Sequence, residues 1–364
     1  MEKKHILIFI GCLLSVTLVM VALYASSPIN SKIFRANFDR KLLPETALEE
    51  KNAFELEASS VYISGVTADK IYISNTFKPL NLWISDYEFK NTHDIRLKLV
   101  GVDSLREPSA FRTTVDPPNF FLSNGIMPIA MRGTIDSWEA KKYMPDSSYY
   151  FVEAVPISTS SMALKSYSSN QQALHLARKT AIDTPYFKFK YGLLEKQKDG
   201  VFCVNGKLHF SKDLHKLIYL YAYRNQYIVM DTNMNLSYRG NTIDTFSVAR
   251  VKLTQIESKK LTMAASPPTV INGLSCVSKN YLYNQSLLLA NNEDEKVFKK
   301  SAVIDVYDIN QGIYVFSFHV PKYRNNSLSD FRVFNNQLIA LFGRHLVVYE
   351  LNNNNVSINE DFHQ

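Results

Sequence analysis

Residues 331–351 read FRVFNNQLIALFGRHLVVYEL. Three runs rich in aromatic, β-branched and other apolar residues are separated by Asn335-Asn336 and Gly343-Arg344. Each run suits a strand and is short for a buried helix, and the Asn and Gly pairs suit tight turns. The spacing predicts three consecutive antiparallel strands ending at Leu351.

The same outline recurs upstream. AVIDVYDINQGIYVFSFHV pairs two long runs across Asn310-Gln311-Gly312, and LIYLYAYRNQYIVMD does so across Asn225-Gln226. Asn124-Gly125 in NFFLSNGIMPIAMRGTI and Asn205-Gly206 in VFCVNGKLHF read as hairpin turns, because both turn positions need positive φ. VYISGVTADKIYISNTF reads as two strands and NLWISDYEF as a third. QQALHLARKTAI fits a helix or a strand equally. Turn signals about every 8–12 residues indicate a sandwich, barrel or propeller. Roughly 300 residues of such material exceed one sandwich and fit six or seven blades of about 40–50 residues each. The expected fold is therefore all-β, a six-bladed (or seven-bladed) β-propeller over residues 59–351, with a polar tail over 352–364.

Composition agrees. The 364 residues are 46% hydrophobic and 21% charged, which are globular values, with 21 Tyr and 22 Phe against 2 Trp. The net charge is +7, yet Lys141-Lys142, Lys259-Lys260 and Lys299-Lys300 are scattered between strand runs. A nucleic-acid binder concentrates its cations on one face or helix, so nucleic acid is not an expected partner.

Ahead of the strands, Ile6–Ala25 is ILIFIGCLLSVTLVMVALYA, uncharged throughout. About 20 such residues cross a bilayer as a helix, whereas a cleavable signal peptide has an apolar region of about 7–15. The reading favours an uncleaved membrane anchor over residues 1–25. Lys3 and Lys4 argue for a cytoplasmic N-terminus, while Lys32, Arg35, Arg40 and Lys41 tip the charge count the other way. The very short tail ahead of the helix resembles an export signal, so the bulk of the chain is expected in the periplasm or other extracytoplasmic space. Residues 26–58 read as a stem, with PETALEEKNAFELE as a candidate short helix. In an exported domain Cys203 and Cys276 are free to form a disulfide or to remain two buried thiols.

DGVFCVNGKLHF (199–210), YAYRNQYIVMDTN (221–233), YRGNTIDT (238–245) and VIDVYDINQGIYVFSFHVP (303–321) resemble a family of uncharacterised propeller-like proteins of Bacteroidota. The resemblance implies a six-bladed arrangement similar to the TolB-like propellers, and it implies no activity, cofactor or site residue.

No GxSxG elbow, phosphate-binding Gly-rich loop or HExxH occurs, and no cofactor is expected. His93-Asp94 reads as a surface pair before a dyad. His209 and His215 flank a turn and read as exposed histidines before a shared metal site. Asp231-Thr232-Asn233 reads as an Asx turn before a calcium site. Tracing the strand reversals through YAYRNQYIVMDTNMNLSYRGNTIDT gathers Asn205, Arg224, Asn225, Arg239 and Asp244 at one end of a blade. Two arginines beside a carboxylate and amides fit a site for an anionic or peptide ligand. They read first as a latch in which Asp244 pairs with an arginine and Asn caps the turns.

Two functional classes follow. One is a membrane-tethered binding or scaffold module for a protein or peptide partner. The other is a propeller hydrolase or lyase with its site at the mouth of the central channel. Convergent His, Asp, Glu and Arg from several blades would mark the enzyme, and a broad apolar or aromatic face the binder.

Overall fold

The computed structural model describes residues 3–26, 33–101, 110–145, 148–256 and 261–352. They divide between Arg35 and Ala36 into two units, which are taken separately.

The first unit is built on the helix Lys3–Ser26. Its stretch Lys4–Tyr24 is long and apolar enough to cross a membrane. At 1.5 Å per residue these 21 residues span about 32 Å, close to the hydrocarbon thickness. Ser15 Oγ donates to the Cys12 carbonyl and Thr17 Oγ1 to the Leu13 carbonyl, 2.8 Å each, so both hydroxyls are satisfied within the helix.

The second unit is a six-bladed β-propeller. Blades one to four begin at the inner strands Val61–Val66, Arg112–Asp116, Phe151–Pro156 and Gly206–Ser211, and each runs outward through antiparallel neighbours in chain order. The second blade gains a fifth, parallel outer strand, Lys98–Val100. Blade five runs from Asn272–Ser278 to Ile313–Pro321 and carries the short helix Glu295–Lys300, capped by Asp294. Blade six is Asp330–Phe334, Gln337–Phe342 and His345–Leu351, completed on its outside by Leu48–Glu55.

That last strand closes the ring. Pairing residues 48–55 with 345–351 ties the start of the propeller to its end, so the ring opens only if that sheet is broken. The candidate stem helix is thus a short 3-10 turn, Glu45–Ala47, followed by a strand, and the propeller begins well before residue 59. The Glu-rich sequence belongs to an outer strand whose alternate residues face water: Glu49, Lys51, Ala53 and Glu55 are exposed, while Asn52 and Phe54 are half-buried.

Strand alternation explains the core. In Lys216–Tyr221, Leu217 and Tyr219 pack toward blade three, while Ile218 and Leu220 pack toward blade five. A middle strand is therefore buried on both faces and reads as a continuous apolar run. Similar apolar layers separate blades one and two, two and three, five and six, and six and one. Glycine allows close approach between blades: a Cβ on Gly65 would lie 2.3 Å from the Val115 carbonyl oxygen of the next blade.

Other expectations change. QQALHLARKTAI contributes the strand Ala173–Thr180. Asn205-Gly206 is no hairpin: Gly206 opens the inner strand of blade four, and residues 201–205 form bends and a turn. Asn124 closes a strand, and its Oδ1 accepts from the Ile126 and Met127 amides, which makes a four-residue connection to Ile129. Cys203 and Cys276 are free and buried in different clusters. Residues 353–364 of the polar tail and 27–32 of the stem lie outside the described residues.

The segment Ala36–Leu43 lies against blade five. Arg40 is its fixed point: Nε and Nη2 meet Asp305 Oδ1 and Oδ2 at 2.7 and 3.3 Å, and Nη1 meets the Leu288 carbonyl and the Glu293 carboxylate. The Arg40 and Glu293 side chains are wholly buried, and Asp305 is 2% exposed.

Candidate functional site

An inner strand has one edge paired within its blade and one edge facing the central channel. Its free amides and carbonyls there need partners. Side chains from the preceding blade supply several. Asp330 Oδ2 accepts from the Ile63 amide at 2.9 Å, and Arg332 Nη2 donates to the Ile63 carbonyl at 3.2 Å. Tyr62 Oη accepts from the Thr113 amide at 2.8 Å. Glu153 Oε2 accepts from the Leu208 amide at 3.2 Å, and Lys165 Nζ donates to the Gly206 carbonyl at 2.5 Å. From blade four to blade five, His209 Nε2 and Ser275 Oγ are 2.8 Å apart.

These ties surround a cavity of about 780 Å³, walled by blades two to six. Its ionisable lining is Arg112, Glu153, Lys165, Lys207, Asp330 and Arg332, with His209 and Cys276 beside them. Both carboxylates are paired, Glu153 with Lys165 at 3.4 Å and Asp330 with Arg332 at 2.9 Å. Arg112 lies with its guanidinium 3.6 Å from the Tyr62 ring centroid. Among the described residues neither Arg112 nor Lys207, both exposed, has a carboxylate partner.

Burial, reinforced by the charges of Arg332 and Lys207, pushes His209 down to about 3, so its imidazole is neutral. Burial pushes the Cys276 thiol up to about 12. Among the described residues no group of three or more His, Cys, Asp or Glu is placed to hold a metal ion. His209 is turned to Ser275, and the Asp231 carboxylate accepts from the Asn233 and Asn235 amides as an Asx turn does.

Of the blade-four cluster, Arg224, Asn225, Arg239 and Asp244 lie outside that lining. Arg224 is 2% exposed, its guanidinium 3.7 Å from the Tyr221 ring centroid, with Nη1 donating to the Glu195 carbonyl at 3.0 Å. Arg239 reaches the same segment, pairing through Nε with Glu195 at 3.0 Å and donating to the Leu193 carbonyl at 2.9 Å. Asn225 Nδ2 donates to the Asp244 carbonyl at 2.5 Å. Asp244 pairs with neither arginine: its carboxylate accepts from Thr242 Oγ1 and the Phe246 amide, and burial raises its pKa. Asn205 sits apart from these four, with Oδ1 on Lys165 at the cavity wall. So the two arginines clasp residues 193–195 and the remaining pair closes its own loop.

Reading the sequence alone passes over the cavity residues. Arg112, Lys207 and the pair Asp330 and Arg332 stand on three strands far apart in the chain, and only the ring brings them together.

No family model matches the sequence, and no curated protein does. Among solved structures, a member of the DUF4221 family from Bacteroides vulgatus is similar at 14% identity and a TM-score of 0.49, over 84% of this chain and 98% of that one. A structure of YCF48 bound to D1 peptide is similar at 9% identity and a TM-score of 0.46, over 86% of this chain and 99% of that one. At this level of similarity neither likeness carries anything about what this chain binds.

Proposed function

We propose that the chain is a membrane-tethered, extracytoplasmic propeller that works by binding, with a protein or peptide segment entering the central cavity. A periplasmic setting and kinship with TolB-like propellers of Bacteroidota belong to the same proposal. The carrying observation is the division of labour on the cavity wall: Glu153 and Asp330 are committed to cations and strand edges, while Arg112 and Lys207 are left for a ligand. The volume of about 780 Å³ lies within the range of ligand pockets.

The convergence of charged groups from several blades, and the His209–Ser275 pair, favour the enzyme reading. Against it, a general base works best with a pKa near the working pH, and His209 at about 3 is far too weak to activate a serine. Binding is therefore the better supported class.

A photo-crosslinking amino acid at Lys207 of the full chain in its own membrane tests this, with Lys299 on the outer helix as control. Discrete peptide adducts from the Lys207 position alone are expected. Adducts equal at both positions, or none at Lys207, would contradict the reading.

A further inference from the structure

The partner segment has a chemistry that the cavity wall specifies. Four cations, Arg112, Lys165, Lys207 and Arg332, face two carboxylates, Glu153 and Asp330. Each carboxylate has its own cation, and His209 adds no charge at neutral pH. The wall therefore carries two uncompensated positive charges in a concavity, where low-dielectric walls focus the field.

The two free cations differ in form. The Tyr62 ring covers one face of the Arg112 guanidinium, which leaves the in-plane N–H fork open for a carboxylate. Lys207 stands next to Gly206, the opening residue of the inner strand of blade four. It offers a mobile ammonium with three donors and no partner among the described residues. Lys165 and Arg332 are held by their struts and only add to the field.

We infer that the cavity of this propeller takes an acidic peptide segment, with Lys207 and Arg112 receiving its carboxylates. The inference rests on the peptide-binding reading above and names the ligand class of that same site.

The test is fluorescence anisotropy of labelled decapeptides, Glu-rich, Gln-rich and Lys-rich, against the full chain in neutral detergent micelles. The Glu-rich peptide is expected to bind, and to bind more weakly as salt is raised, because exposed charges are screened. Lys207→Glu and Arg112→Glu should each weaken it by about tenfold or more. Lys299→Glu, which reverses the same charge outside the lining, should leave it unchanged. Thermal melting of each variant separates lost binding from lost folding. Equal binding of the Gln-rich peptide would overturn the acidic assignment and leave peptide capture standing. Binding of none of the three would overturn both. Full displacement by glutarate at a matched carboxylate concentration would give the cavity to a small diacid and overturn the peptide assignment.

Discussion

Replacing Arg40 by Ala removes the cation that sits between two buried carboxylates, Glu293 and Asp305. Asp305 would lose the Nε and Nη2 bonds at 2.7 and 3.3 Å, and Glu293 its contact with the Arg40 guanidinium. Their side chains are 2% and 0% exposed, so water cannot take over. Breaking a buried pair from one side costs about 3–5 kcal/mol, mostly the penalty of leaving a carboxylate uncompensated. In a domain this large each kcal/mol moves the melting temperature by about 2–4 °C, so a fall of roughly 6–20 °C is expected. Trp83 and Trp138 report it by fluorescence, since both pack in the early blades. A second variant checks the cause: Arg40→Met with Glu293→Gln and Asp305→Leu removes all three charges and should recover most of the loss. An Arg40→Ala melting temperature within about 2 °C of the parent would refute the reasoning, as would a triple variant no better than the single one.

Three further outcomes are expected. Arg224→Ala should lower stability by about 1–3 kcal/mol, through the bond to the Glu195 carbonyl and the stack on Tyr221, and leave anisotropy with the Glu-rich peptide unchanged. An unchanged melt with lost peptide binding would return that cluster to the ligand-site reading. Acid lowers stability through His209: the unfolded chain takes up its proton below about 6.5 and the folded chain only near 3. The contribution is complete above that window and is lost as pH falls through it, with a slope approaching 1.4 kcal/mol per pH unit, about the full linkage value. His209→Gln should flatten this part of the profile, and an unaltered profile would count against it. The chain should stay with membranes after carbonate washing, and a mature form beginning near Ser26 would exclude the uncleaved anchor.

How much was legible follows from where each residue's partners lie. The hairpins of blades five and six are local, and their turn residues, Gly312 at φ +72 in blade five and Asn335 and Gly343 at φ +52 and +62 in blade six, announce themselves in the sequence. The N-terminal apolar helix is legible for the same reason, since its length and composition are read from one segment. The closing strand Leu48–Glu55 pairs with residues nearly the whole chain away, and its Glu-rich outer face imitates a helix. Asn205-Gly206 carries hairpin chemistry but serves the entry to an inner strand, where Gly206 leaves room beside the Leu220 carbonyl. Arg40 reads as one of several stem cations until blade five supplies Asp305 and Glu293. The cavity had no local signature, because its charges come from four blades, two, three, four and six, that only the ring brings together.

The central claim is that ligand enters the cavity formed by the inner strands. Hydrogen–deuterium exchange of the full chain in micelles, with and without the Glu-rich decapeptide, tests it most directly. Added protection should fall on Phe151–Pro156, Gly206–Ser211 and Asn272–Ser278, which line the cavity. Protection confined to outer strands such as Phe187–Lys190 or Leu236–Asn241 would contradict it.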